Sequence, residues 1–215
     1  GIAVVQVQYL IDFIERLEYD TIYHEHVSYI SLHSVDRLFS QYGLSVFDVE
    51  RFPDIHGGSI RFYLKKAAKR EESVEKLMEY EYNEGFLSLD KYEEFSRNVE
   101  NHRNAIVSLL KDLRLKGKRI AGYGAAAKAN TMLNYCQIGT DLIEYIADKS
   151  EHKQGLFTPG MHIPVVMPDK IFSEMPDYVI ILAWNFADEI MDQLKAYRKR
   201  EGKFIVPIPQ PRVIE

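Results

Sequence analysis

The segment Asp20-Thr21-Ile22-Tyr23-His24-Glu25-His26 places a phenol, two imidazoles and a carboxylate in four consecutive positions. Imidazole titrates near neutral pH, and a neighbouring carboxylate or phenol orients it and moves its pKa. These types at this spacing predict an acid/base centre. Two blander readings compete: polar residues satisfied under a loop, and a metal site in which His33 or His56 joins His24 and His26. Imidazoles two residues apart can share a strand face. No third ligand has zinc-like spacing, however, and no HExxH helix is present, so no metal ligand is assigned.

A second candidate is Gly122-Tyr123-Gly124-Ala125-Ala126-Ala127-Lys128-Ala129-Asn130, which follows an apolar strand pattern and opens a helical one. Small residues there let backbone amides approach a phosphate, and the helix dipole favours the anion. Lys128 in the first helical turn suits a diphosphate. Asp148, at the end of the next predicted strand, stands near where a carboxylate meets a ribose hydroxyl in dinucleotide folds. Ala127 replaces the third glycine of GxGxxG, and tight strand–helix packing without a ligand explains the same residues. A third candidate is His56-Gly57-Gly58-Ser59, where consecutive glycines permit close backbone approach to a ligand or a plain hairpin turn. A fourth is Ala183-Trp184-Asn185-Phe186, at the carboxyl end of a predicted strand, where open α/β sheets bind ligands. Its aromatic rings serve equally as a stacking platform or as core.

The elements that must position these groups follow from hydrophobic period. Residues 2–7 read as a strand and 9–17 as a helix. Ser34 is expected to cap a helix running through Tyr42, closed by Gly43. Strands are predicted over 44–52 and 59–64, joined by the glycine loop. Residues 67–116 read as helical, with Tyr92, Phe95, Val99, His102, Ile106, Leu109 and Leu113 as a seam at spacings of three and four. The seam predicts a long helix laid against a neighbour, and self-association through 92–113 is one use for it. From Lys118 onward the pattern alternates: strands over 119–123, 143–147, 163–166, 178–183 and 204–207, helices over 125–136, 169–174 and 187–201. Nearly all-apolar strands in such alternation imply a parallel sheet covered on both faces.

The chain of 215 residues carries 27 basic and 32 acidic residues, a formal charge of −5. That argues against a nucleic-acid surface, which needs a basic patch. No run of about 18 apolar residues predicts a membrane span, and no signal peptide is visible. A single cysteine, Cys136, excludes an internal disulfide and a cysteine-rich zinc site within this chain. A cytoplasmic location is expected. Opening on Gly1 and running directly into a strand pattern, the chain reads as a piece of a longer protein.

Three of these motifs, Asp-Thr-Ile-Tyr-His-Glu-His at 20–26, His-Gly-Gly-Ser at 56–59 and Gly-Tyr-Gly-Ala-Ala-Ala-Lys at 122–128, occur in this order and spacing in bacterial sugar C-methyltransferases. The chain resembles the C-terminal half of that family, over nearly all its length. The resemblance implies S-adenosylmethionine as methyl donor and a nucleotide-linked keto-deoxysugar as substrate. It implies an α/β fold: 1–66 as the last strands of a class I methyltransferase sheet, 67–116 as a helical connector, and 117–215 as a Rossmann-like domain that grips the nucleoside-diphosphate sugar. His56, Gly57, Gly122, Gly124, Lys128, Asn130, Asp148, Trp184 and Asn185 are the expected substrate-binding residues. Tyr23, Glu25 and His26 are the expected catalytic ones: His26 as base, Glu25 orienting it or sharing the role, Tyr23 donating to the developing oxyanion. The family's zinc domain and its S-adenosylmethionine loop have no counterpart in this sequence. The chain alone is therefore expected to be inactive. An NAD-dependent sugar oxidoreductase fragment and a non-catalytic nucleotide-sugar-binding module are the rival readings.

Overall fold

The computed structural model describes residues 1–53, 55, 57–67 and 69–215. Contacts divide the chain into two compact units, Gly1–Glu18 with His26–Asn98, and Tyr19–Glu25 with Val99–Glu215.

The first unit contains β1 (Ala3–Gln8), α1 (Leu10–Glu15), α2 (Leu32–Ser40), β2 (Leu44–Phe52), β3 (Ser59–Lys66), α3 (Glu72–Asn83) and the start of α4 (Leu89–Leu115). Its three strands pair antiparallel in the order β1-β3-β2. In central β3 the alternate residues Ile60, Phe62 and Leu64 are fully buried. This is the period of two by which one face of a sheet meets a core. They join Ile11, Phe13, Leu32, Val46, Val74 and Leu77 in one cluster, against which Tyr92 and Phe95 of α4 pack.

The cap of α2 differs from the expected one. Ser31, not Ser34, is the N-cap. Its hydroxyl accepts from the Ser34 N–H, while the Ser34 hydroxyl takes the Ser31 N–H, a reciprocal capping box. Both serines precede the same apolar run, so spacing alone did not choose between them. The helix also ends at Ser40, two residues short of Tyr42. What anchors its start is Glu81 of α3, a carboxylate with no exposure to water. Glu81 accepts from the Leu32 N–H at 2.7 Å, the His33 N–H at 3.1 Å and the Tyr9 hydroxyl at 2.8 Å, and pairs with His33 Nδ1 at 2.6 Å. A negative charge at a helix N-terminus is favoured by the orphan amides there and by the dipole.

The second unit is built on β4 (Ile120–Tyr123), α5 (Ala127–Cys136), β5 (Ile146–Ala147), β6 (Val165–Val166), α6 (Asp169–Glu174), β7 (Tyr178–Ile181), α7 (Ala187–Gln193), α8 (Lys195–Arg198), β8 (Lys203–Val206) and β9 (Arg212–Ile214). The sheet order is β6-β5-β4-β7-β8-β9. The first five strands are parallel, as the alternation predicts, and β9 adds an antiparallel edge against β8. The single helix expected over 187–201 is broken at Leu194 into α7 and α8. The chain runs outward from β4 to β6 on one side, then returns to β7 and β8 on the other. The order therefore reverses between β4 and β7, and the carboxyl ends of two strands at such a switch point are where open α/β sheets bind ligands.

Helix α4 contributes to both units. Its buried residues are Val99, His102, Ile106, Leu110 and Leu113. Leu110 takes the place expected for Leu109, which is only half-buried. A straight helix of 3.6 residues per turn drifts away from a strict heptad seam. Among the described residues no helix is long and apolar enough to cross a membrane.

Replacing Glu81 by Ala is expected to destabilise the protein by about 3–5 kcal/mol, because it strips partners from buried donors around a helix start. Urea unfolding followed by far-UV circular dichroism measures this. A loss below about 1 kcal/mol would mean that water replaces the carboxylate.

Candidate functional site

Two glycines shape the switch point of the second unit. A Cβ on Gly122 would stand 2.9 Å from Ile146 Cγ1, so the glycine admits β5 alongside β4. Gly124, which follows β4, has φ +94° and would place a Cβ 2.9 Å from that of Ala183. Both contacts are closer than side chains tolerate, and the positive φ suits glycine. Close packing thus explains the two glycines. The same closeness lays the segment after β7 beside the N-terminus of α5. There the Lys128 ammonium donates to Asn185 Oδ1 and stands 4.1 Å from the centroid of the Trp184 ring. Lys128 from one candidate stretch and Trp184 with Asn185 from another converge at one place, and all three are half-buried.

Beneath them lies a residue that sequence reasoning did not select. Asp20 is fully buried. The Trp184 indole N–H donates to its Oδ2 at 2.6 Å. Burial raises its pKa to about 6, against the opposing pull of the Lys128 charge, the Trp184 bond and the N–H groups of Asp20 and Thr21. Its other oxygen, Oδ1, finds no donor of good geometry among the described residues. Asp20 opens the motif that singled out Tyr23 to His26, so the signal was there.

Asp20 sits on a 3-10 turn, Tyr19–Thr21, held by a buried relay. The carbonyl of Pro207 can only accept, so His102 Nε2 carries the proton across their 2.7 Å contact. His102 Nδ1 then accepts from the Tyr19 hydroxyl at 3.1 Å, and the Cys136 thiol is left to donate to the Tyr19 oxygen at 3.4 Å. Burial lowers the His102 pKa, against the pull of the Pro207 bond, and so favours this neutral tautomer. His102, the polar member of the predicted seam, is thus an anchor for the turn.

The other expected residues divide. Asp148 is buried and engaged by the chain itself. Its Oδ2 accepts from the Ala125 N–H at 2.7 Å, its Oδ1 from the Ser150 N–H at 2.8 Å, and Lys153 Nζ is 3.5 Å away. It shapes the loop after β4 from within. Asn130 lies on α5, with a buried Oδ1 that has no donor among the described residues. Tyr23, Glu25 and His26 lie in an irregular turn, with Tyr23 and His26 half-buried and His24 and Glu25 exposed. Burial raises the Tyr23 pKa, and the charges of Glu25 and Asp20 add to the effect. The division between the units falls between Glu25 and His26. In the first unit, Gly57 has φ +87° and its absent Cβ would meet the Glu18 carboxylate oxygens at 2.6 Å. The Gly57 carbonyl accepts from Arg16 Nη1 at 3.0 Å. This glycine pair is packed onto side chains of its own unit. His56 lies outside the described residues. Among the described residues no three His, Cys, Asp or Glu side chains gather as a metal site.

Residues 54–209 match the model of a family described as the C-methyltransferase C-terminal domain. The chain is 40% identical over 217 residues to the C-methyltransferase NovU of Streptomyces niveus, an alignment covering 100% of the chain and 51% of that relative. The chain therefore spans about half the length of the curated relative it matches.

Two titrations should bear opposite signs in stability. Asp20 has a folded pKa of about 6, above the 3.8 of a free aspartate, so its contribution is fully favourable below 3.8 and is lost as pH rises through 6. Asp20→Asn, which removes the buried charge, is expected to stabilise the protein above pH 6 by at most about 3 kcal/mol, with no gain below pH 4. His102 has a lowered folded pKa, so its contribution is present above 6.5 and is lost as pH falls toward the folded value. Replacing it by Gln should remove that loss. Denaturant titrations across the pH range measure both, and a D20N variant less stable than the parent at pH 8 would contradict the first.

Proposed function

Because the chain belongs to the family of C-methyltransferase C-terminal domains, we propose that it is the substrate-gripping half of an S-adenosylmethionine-dependent C-methyltransferase, and that it grips a nucleoside-diphosphate sugar. One observation carries the reading. Lys128, Asn185 and Trp184 converge at the point where the strand order reverses, beside the N-terminus of α5. Amides at a helix start and a lysine suit a diphosphate, and the switch point of an open sheet is where such ligands lie. The exposed edge of a half-buried indole offers apolar surface to a sugar or base.

The proposed chemistry starts at the carbon beside a ketone, which is acidic because its carbanion delocalises onto oxygen. His26 removes that proton and Glu25 orients it or shares the load. Tyr23 donates to the oxygen that becomes negative. Its raised pKa keeps the phenol protonated at neutral pH and therefore a donor. S-adenosylmethionine supplies the methyl group. Among the described residues of the first unit, Gly57 and Gly58 do not fit a cradle for that donor, since side chains of Glu18 and Asp12 already fill the space above them.

Three outcomes are expected. UDP or dTDP should raise the thermal transition of this chain and NAD should not; the converse result would make this place a dinucleotide site. Lys128→Glu should abolish the protection, because it turns an attraction into a repulsion beside a dianion, and unchanged affinity by calorimetry would move the site elsewhere. In a full-length enzyme carrying this chain, His26→Ala should lower kcat by about 10²–10⁴-fold while leaving nucleotide binding intact, and an unaffected rate would remove His26 from the chemistry.

A further inference from the structure

We propose that Asp20 is a positioning residue for this site: through the indole of Trp184 it holds the Lys128 ammonium in place at the start of α5 before any ligand arrives. The connection is read along named atoms. The Trp184 N–H donates to Asp20 Oδ2 at 2.6 Å. The Lys128 Nζ stands 4.1 Å from the centroid of the same ring and also donates to Asn185, the next residue along. A cation is attracted to the face of an aromatic ring, so the place where the ring is held decides where the attraction acts. Trp184 lies on a 3-10 turn, Trp184–Phe186, whose N-cap residue contributes no side-chain bond. The bond to Asp20 ties the indole to a different part of the chain. Asp20 can do this because its own turn is fixed by the Tyr19–His102–Pro207 relay.

A second observation separates this role from plain packing. A fully buried carboxylate with one oxygen short of a donor is costly, and an amide of the same shape could accept the same indole bond. The charge adds what the amide lacks, an attraction to Lys128. Among the described residues, the ionisable groups that interact with Asp20 include Lys128 of α5 and, on its own segment, Tyr19 and Tyr23. Of these, Lys128 carries the positive charge. Burial puts the titration of Asp20 near pH 6, so the attraction is present at neutral pH and fades below it.

The inference rests in part on the reading of this place as an anion site, and the test separates the two. Trp184 is the one tryptophan of the chain, so emission excited at the red edge, where tyrosine does not absorb, reports this site without any ligand. In the parent, the ratio of iodide to neutral acrylamide quenching of Trp184 should exceed that in Lys128→Met, because Lys128 draws the anion to the ring. That preference should diminish as pH falls through 6. Asp20→Ala should reduce it to the level of Lys128→Met. Asp20→Asn keeps the acceptor and the shape, so it should keep the emission maximum at neutral pH while losing the step near pH 6. It also keeps the test decisive should the alanine variant fail to fold. Emission and iodide preference unchanged in Asp20→Ala, or a step that persists in Asp20→Asn, would overturn the proposal. In calorimetry with UDP, Asp20→Ala is expected to weaken binding by about tenfold. Wild-type affinity in a variant whose iodide preference is lost would overturn the link between positioning and binding. If UDP fails to bind the parent while the fluorescence behaves as described, the positioning role stands and the diphosphate reading falls.

Discussion

A buried carboxylate bonded to an indole is the constraint on which the candidate site depends. Asp20 has no access to water, yet it lies in contact with Trp184 and in the field of Lys128. Removing a carboxylate from water is among the most expensive acts in folding, and it persists only where partners hold it in one arrangement. Here the partners are drawn from far apart in the chain: the turn at Tyr19–Thr21, the start of α5 and the segment that follows β7. The bond joins residues 164 positions apart. A local turn thereby becomes part of the C-terminal unit, which explains why Tyr19–Glu25 groups with Val99–Glu215 and not with its neighbours in sequence.

The first unit uses buried carboxylates for another purpose. Glu81 fastens the start of α2 to α3 and to the Tyr9 hydroxyl. Asp12 receives Arg51 at 2.7 Å, and that guanidinium in turn lies 5.0 Å from the centroid of the Tyr9 ring. Each is paired with donors that would otherwise be unsatisfied. Asp20 combines deep burial with a half-satisfied carboxylate and a neighbouring cation, Lys128, at the switch point of the sheet. Perturbed groups of that kind concentrate at functional sites, and the stability they forfeit is a usual cost of function.

Much of the fold was legible in the residues. Strand–helix alternation after Lys118 gave the five parallel strands, since strands buried on both faces must be nearly all apolar. β-branched and aromatic runs flanking the glycine loop gave β2 and β3, and apolar residues at spacings of three and four gave α4. Gly122 and Gly124 marked the switch point whichever reason is given for them, because the close packing that excludes a Cβ is also what brings Ala183 and Trp184 to α5. Less legible were the choices between equivalent residues. Ser31 and Ser34 could each cap α2, and both take part in the box that forms. Leu109 and Leu110 could each face inward, and helical drift selected Leu110.

The sequence by itself determined which side chains were present in a form fit for chemistry: the phenol, carboxylate and imidazoles of Tyr23–His26, the lysine at a helix start, the aromatic residue after a strand. Composition and local period suffice for that, because they act over a few residues. Only the tertiary structure decided which of these groups meet. It turned Asp148 inward onto the amides of Ala125 and Ser150, packed Gly57 against Glu18, and gave His102 to the Tyr19 turn. It brought Asp20 under Trp184 and Lys128. Such pairings are set by the order of strands in the sheet and by the demand that every buried donor find an acceptor. Neither condition can be read from residues that are neighbours in sequence.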